Sequence, residues 1–355
     1  MQAWELRMST GGLSLADVQE PAARDGAVVL RSEAALVVSY LREYVRGGLP
    51  GYLPPAEPFT LGTSGIGVVE RVGSGVYGIY PGQRVLATGH AVVAENVPEP
   101  AQALLSMTAR PEAQPLLDDW RTGTMAQLAA VPASTVTPVP DELAGLSSAS
   151  LSPLLRCLVP YGGLRRARMA AGETVIVNGA TGDFGGAAVQ VARALGAARV
   201  VAAGRNRARL DALAAFPRVR TVRLNGDVHA DAEALRAACG GGADCAIDMI
   251  GGATDSAATA AVLAALHDSG RLVFMGSSSA LLPVDLTQLM LSNREIVGQF
   301  MYARSAPAEL LRLTAAGLLD LAAFEVREFP LSELPAAMDA AADATGAVVT
   351  INPGR

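Results

Sequence analysis

The chain has 355 residues, enough for two domains with sizeable cores. Half of them are hydrophobic and 17% are charged, which excludes a disordered chain. With 28 basic against 34 acidic residues, a net charge of −6 and no basic block, nucleic acid is not an expected partner. No apolar run approaches the ~20 residues of a membrane span, so no membrane partner is expected. The opening MQAWELRMST lacks the charged-then-apolar build of a signal peptide, so the expected location is the cytoplasm.

The first 150 residues are rich in Gly and Pro and carry short strand-like pieces at 27–31, 67–72, 82–86 and 125–131. The turn Val72-Gly73-Ser74-Gly75 and the pair Pro81-Gly82 punctuate them. This pattern predicts a compact, mostly antiparallel β domain. The Pro-rich, partly apolar segment 97–122 reads as a lid over a cleft or as a dimer contact.

Residues 174–196 read TVIVNGATGDFGGAAVQVARALG. A β-branched run, Val175-Ile176-Val177, stops at a glycine turn. A helical pattern follows, with Phe184, Ala188, Val191 and Leu195 at helical spacing. Strand, glycine turn and helix in that order form a dinucleotide cradle. Gly182 lets the backbone approach a pyrophosphate, Gly185 lets the helix pack on its strand, and the first helical amides face the phosphate charge. Asp183 reads as a helix cap with its side chain turned outward.

Strands and helices then alternate. Strands are expected at 199–203, 220–224, 243–250, 271–275 and 295–300, and helices at 205–216, 230–239 and 254–267. This rhythm predicts a parallel sheet with helices on both faces. The tail carries helices at 306–316 and near 331–342 and a closing strand at 347–351, which is expected to return to the first domain. The division expected is therefore 1–150 with 306–355 against 151–305.

The second strand ends Ala202-Ala203-Gly204-Arg205-Asn206-Arg207, at the place where an NAD enzyme usually carries a carboxylate for the ribose 2′-hydroxyl. Here the first carboxylate is Asp211. A guanidinium can bind a 2′-phosphate through charge-assisted hydrogen bonds. The reading is NADP(H), with Arg205 as the main clamp and Asn206 and Arg207 assisting.

Several segments together closely resemble the medium-chain dehydrogenase/reductase superfamily: LGTSGIGVVERVGSGVYGIYPGQRVL at 61–86, the turn at 172–196, DCAIDMIG at 244–251 and GRLVFMG at 270–276. The resemblance implies an α/β chain whose doubly wound Rossmann sheet is inserted in a GroES-like, β-rich catalytic domain. It implies an active site in the cleft between them and hydride transfer with a nicotinamide. It also points to Ile250, Gly251, Gly276 and Ser277 as cofactor contacts. Thr181, Gly182, Phe184 and Gly185 belong to the cradle, Asn178 either bonds the nicotinamide half or satisfies a turn, and Met301 and Tyr302, after the last parallel strand, either contact nicotinamide or substrate or lie at an interface.

The departures from the family are equally informative. Zinc-dependent members place a Cys near Val38, a His-Glu pair at Thr63-Ser64 and a further Cys near Leu155. Cys157 lies two positions away and has no neighbouring His or Cys in sequence, whereas zinc needs about four ligands. The region 95–122 contains no cysteine, so the four-cysteine structural lobe is missing. His90, His229 and His267 are scattered and read as ordinary surface or turn residues. No metal is expected.

Without a metal to polarise a carbonyl, oxyanion charge must be met by hydrogen-bond donors, and conjugated acceptors need the least help. This favours NADPH reduction of a quinone or an α,β-unsaturated carbonyl, a small-molecule substrate. Tyr40, Thr63 and Ser64 are the expected catalytic groups, and Tyr44 and Tyr52 are further cleft candidates. Aldehyde or ketone reduction and a non-catalytic NADPH-binding role are the alternatives. The strand at 295–300 is expected at the sheet edge, where a homodimer would form.

Overall fold

The structure, a computed structural model, describes residues 1–10, 12–49, 51–93, 96–343 and 346–354. The alternation read from 174 onward forms a six-stranded sheet. Its spatial order is Val219–Arg223, Arg199–Gly204, Thr174–Asn178, Ala243–Asp248, Leu266–Phe274, Glu295–Gly298, and every pair is parallel. The strand order reverses between Thr174–Asn178 and Ala243–Asp248, which opens a ligand crevice at their carboxyl ends. Helices Asp183–Ala194, Arg207–Ala214, Val228–Cys239 and Ala257–Ala265 supply the flanking layers.

The second large sheet is mostly antiparallel and is centred on Ala27–Val37. Gly65–Val72 pairs along one edge of that strand, and Leu128–Pro132 and Val348–Asn352 share the other. The chain's last strand thus joins its first sheet, with Val349 opposite Val37. The central strand is longer than the expected 27–31. The polar triplet Arg31-Ser32-Glu33 resembles a strand end, but register shifts on either side absorb it and the buried run Ala34–Val37 continues the pairing.

Two further elements depart from expectation. Helix Pro153–Arg166 was not expected, because almost every residue from Pro153 to Leu164 is buried and no polar face betrays it. The helix expected at 254–267 ends at Ala265, and the next strand starts at Leu266. The segment 97–122 contributes to a small lobe, the strands His90–Val93, Ala101–Leu104 and Thr108–Ala109 with helix Gln114–Asp119, around its own core of Ala91, Ala103, Leu105 and Leu117. The main core runs without interruption from Leu36 and Val348 in the second sheet through Leu154 and Tyr161 to Val177 and Ala188 in the first. The two halves therefore meet through packed side chains. Among the described residues no helix is long and apolar enough to cross a membrane.

Candidate cofactor cleft and active site

The glycine turn has the shape its sequence predicts. Gly182 is the N-cap of helix Asp183–Ala194, and its amide bonds the Gly179 carbonyl at 2.9 Å. A Cβ at Gly185 would overlap the Gly179 carbonyl oxygen, so only glycine lets the helix lie this close. By helix geometry the first amides, at Asp183 and Phe184, have no intrahelical acceptor and are available to an anion.

Asp183 corrects the sequence reading. Its side chain is turned inward and is only 6% exposed, with Oδ1 3.9 Å from Nη1 of the equally buried Arg156. Arg156 Nη1 also donates to the Ala347 carbonyl at 2.8 Å, tying the start of the last strand to this helix. Burial lowers the pKa of both Arg156 and Arg209, and the Asp183 charge opposes the effect in each. Two cations from other helices therefore hold the carboxylate at the positive end of its own helix. Asp183 Oδ2 and Arg156 Nη2 have no hydrogen-bond partner beside the cradle, which suits a polar ligand there.

At the ribose end, a Cβ on Gly204 would lie 2.6 Å from Thr181 Cγ2, so the Thr181 side chain stands directly over the end of the strand. Arg205 is exposed. The other two expected contacts are otherwise engaged. Asn206 Oδ1 caps its helix by accepting from the Arg209 amide at 3.2 Å, and Arg207, 79% exposed, faces Asp211 at 3.8 Å. The residue that reading missed is Arg209. It is half-buried, with its guanidinium near Gly186 of the pyrophosphate helix. No local pattern signals it, because Asp183 and Gly186, which its guanidinium approaches, lie on another helix.

Asn178 is fully buried. Its Nδ2 donates to Asp248 Oδ2 at 2.9 Å, and the Thr259 hydroxyl donates to the same oxygen at 2.6 Å. Asp248 Oδ1 in turn accepts from the Ile250 amide at 3.0 Å. Asn178 thus braces two neighbouring strand ends, and its Oδ1 is left without a partner. Gly252 N bonds the Ser277 carbonyl at 2.7 Å, so Ile250, Gly251, Gly276 and Ser277 converge on the crevice. Met301, with φ of 53°, follows the last strand and packs its carbonyl against Gly162.

In the GroES-like half, Ser64 is buried and its Oγ accepts from the Gly89 amide at 3.2 Å. Gly89 backs onto the Thr63 carbonyl, so the 63–64 loop is fixed against 88–90. Tyr40 is half-buried, and burial pushes its hydroxyl well above the ordinary value. The Tyr44 hydroxyl donates to the Met107 carbonyl at 3.0 Å, and its ring meets Tyr52 edge-on at 6.2 Å.

His90 also corrects the sequence reading. It is buried, 8% exposed, at the head of strand His90–Val93. Its ring meets Phe300 and Tyr302 edge-on at 5.8 and 5.3 Å. It lines a cavity of about 470 Å³ with Gln102, Arg110, Gln299 and Arg304, where the small lobe meets the segment after the last parallel strand. Of the other two histidines, His229 is exposed and His267 pairs with Asp244 at 2.7 Å.

The positions that would carry zinc ligands do not suit the metal. Val38 and Leu155 are buried hydrophobic side chains, and burial pushes the Cys157 thiol up to about 12. Among the described residues no group of three or more His, Cys, Asp or Glu side chains could hold a metal ion.

Residues 24–141 match the alcohol dehydrogenase GroES-like domain family, and residues 184–316 match the zinc-binding dehydrogenase family. The chain belongs to the medium-chain dehydrogenases/reductases. It is an oxidoreductase of a family that binds a nicotinamide cofactor, NAD or NADP. It is 31% identical over 204 residues to acryloyl-coenzyme A reductase of Metallosphaera sedula, a match covering 57% of this chain and 58% of that protein. An L-threonine 3-dehydrogenase of Anaeromyxobacter dehalogenans is 26% identical over 291 residues, covering 79% of this chain and 78% of its own. Among solved structures, an alcohol dehydrogenase from Thermus sp. ATN1 superposes with a TM-score of 0.79 at 20% identity over 99% of both chains. A mycobacterial quinone oxidoreductase does so at 0.76 and 24%, over 99% of this chain and 100% of its own. These likenesses establish the Rossmann sheet and the GroES-like domain of the medium-chain fold.

Proposed function

We propose that the protein is a zinc-independent, NADP(H)-dependent reductase of quinones or α,β-unsaturated carbonyls. The observation that carries this reading is the set Val38, Thr63-Ser64 and Leu155 where zinc-dependent relatives place ligands. Charge developing on a substrate oxygen then meets only hydrogen-bond donors, which suffices best for a conjugated acceptor. The resemblance to acryloyl-coenzyme A reductase points the same way.

The bound cofactor supplies a hydride. The Asp183 and Phe184 amides, with Gly182, receive its pyrophosphate. Arg205 and Arg209, with the Thr181 hydroxyl, receive the 2′-phosphate at the end of the second strand, where Gly204 stands in place of a carboxylate. Ile250, Gly251, Gly276, Ser277 and Met301 line the nicotinamide half. Thr63 and Ser64 present hydroxyls from the facing wall, and Tyr40 closes it. The halves divide at 1–150 with 306–355 against 151–305. The edge strand Glu295–Gly298, beside exposed Leu286, Met290 and Leu291, pairs two copies into a homodimer.

The test is cofactor consumption with NADPH and NADH against 1,4-benzoquinone, 2-cyclohexenone and benzaldehyde, with metal content measured on the same sample. Faster turnover of the first two with NADPH, in protein lacking stoichiometric zinc, is expected. Turnover of benzaldehyde alone would assign carbonyl reduction instead, which the threonine dehydrogenase relative favours.

A further inference from the structure

We infer that Asp248 is the positioning residue of the cofactor turns: its carboxylate sets the Ile250 amide and, through it, the shape of the crevice that receives the dinucleotide. The inference rests on the assignment of Ile250, Gly251, Gly276 and Ser277 to the cofactor proposed above.

Asp248 ends the strand Ala243–Asp248 and is the register partner of Asn178, which ends Thr174–Asn178. These are the two strands between which the sheet order reverses, so the pair forms the floor of the crevice. Both residues are fully buried. A buried carboxylate is costly unless donors surround it. Here three donors from three segments do so. Asn178 Nδ2 at 2.9 Å and the Thr259 hydroxyl at 2.6 Å meet Oδ2, and the Ile250 amide at 3.0 Å meets Oδ1. The bonds from the neighbouring strand and from helix Ala257–Ala265 fix the carboxylate. The bond on Oδ1 is the one that reaches a cofactor turn.

The same residue holds the second turn through its main chain. Its carbonyl accepts from the Met275 and Gly276 amides at 3.0 and 3.1 Å. The two turns also interlock. The Gly252 amide bonds the Ser277 carbonyl at 2.7 Å, and a Cβ on Gly276 would lie 1.9 Å from the Ile250 carbonyl oxygen. A displaced Ile250 therefore displaces Gly276 as well. Any residue at position 248 supplies the carbonyl, but only an acceptor side chain held by Asn178 and Thr259 supplies the partner of the Ile250 amide. The two carboxylate oxygens thus divide the work: Oδ2 ties elements of the fold together, and Oδ1 shapes the ligand surface.

The test compares Asp248→Ala, Asp248→Asn and Thr259→Val with the wild type by fluorescence titration of NADPH and of NADH, with the melting temperature of each protein. Asp248→Ala frees the Ile250 amide and should weaken both cofactors alike, by about tenfold, the scale of one hydrogen bond to a charged group. The losses should be equal because the 2′-phosphate belongs to Arg205 and Arg209 in the proposed reading. Asp248→Asn should return affinity to within about threefold of wild type. Its carboxamide oxygen still accepts from Ile250, and its NH2 group meets the Thr259 oxygen and the otherwise unpartnered Asn178 Oδ1, turned toward it. Thr259→Val removes a bond to the other oxygen, so it should lower the melting temperature and leave both affinities unchanged. Affinity that followed melting temperature through all three variants would make Asp248 a structural residue only and overturn the inference. So would wild-type affinity in folded Asp248→Ala, or an Asp248→Asn as weak as Asp248→Ala. Should Asp248→Ala not fold, Asp248→Val, which fills the space without an acceptor, carries the same expectation. A wild type that prefers NADH overturns the proposed cofactor and leaves this test standing. A wild type that binds neither cofactor overturns the proposed function, and the inference with it.

Discussion

The two walls of the cleft are built by different means. The parallel-sheet wall presents main chain: first-turn amides after Gly182, strand ends that converge at Ile250 and Gly276, and a glycine where the helix touches the turn. The GroES-like half offers side chains instead, Thr63, Ser64 and Tyr40, from separate segments of its chain. A main-chain wall tolerates almost any side chain but no error in backbone shape. A side-chain wall tolerates backbone adjustment but depends on the chemistry of each residue. Substitutions on the two walls should therefore fail differently.

The largest effect is expected where the main-chain wall relies on a buried charge. Asp183→Ala leaves Arg156 desolvated without its counter-charge and should lower stability by about 3–5 kcal/mol, read by chemical denaturation. The double variant Asp183→Ala, Arg156→Met should recover most of that loss. A single variant as stable as wild type would show that the pair is not what holds the helix to the last strand. Gly185→Ala should come next. Its methyl must push the helix off the turn, at about 1–3 kcal/mol. That strain should appear in NADPH affinity as a loss of up to about 100-fold. An unchanged affinity would show that the turn does not carry the pyrophosphate.

Arg205→Ala should weaken NADPH about tenfold and leave NADH unaffected, as loss of one charge-assisted contact predicts. Arg209→Ala should weaken NADPH more than NADH but not spare NADH, because Arg209 also faces Asp183 at the pyrophosphate helix, whereas Arg207→Ala, exposed and facing Asp211, should change neither. Equal losses for both cofactors would move these arginines away from the 2′-phosphate.

The same contrast decides what could be read without the structure. The strand, turn and helix at 174–196 were legible because glycine and β-branched residues encode backbone shape locally. That the sheet is parallel followed from the alternation of elements. Helix Pro153–Arg166 was hidden because its burial on all sides erases the amphipathic signal. The inward turn of Asp183 was hidden because its partners Arg156 and Arg209 lie on two other helices. His90 was hidden because nothing near it in sequence is chemically distinctive. Phe300 and Tyr302 reach it only after the chain has completed the whole parallel sheet. Side-chain constellations are long-range facts, and one sequence carries little of them.

The smallest effect lies away from the cleft, at a titrating structural histidine. His267 Nε2 pairs with Asp244 Oδ1 at 2.7 Å, and this bond raises the histidine's pKa above its ordinary value. Asp244 is lowered: burial opposes the shift, and the Thr174 amide and His267 outweigh it. A raised histidine stabilises fully below its unfolded pKa, and that contribution fades as pH rises through the folded value. A lowered aspartate contributes above its unfolded pKa and loses that contribution as pH falls through its folded value. The pair therefore acts between about pH 4 and the histidine's unfolded value near pH 6.5. The His267 side chain is 42% exposed, so solvent screening limits the gain to about 1 kcal/mol or less. His267→Gln should lower the melting temperature by about 2 °C at pH 5.5 and by nothing measurable at pH 8.5, with kcat unchanged at both. A kcat that followed His267 would show that this histidine, at the amino end of the parallel sheet, reaches the chemistry at the carboxyl ends.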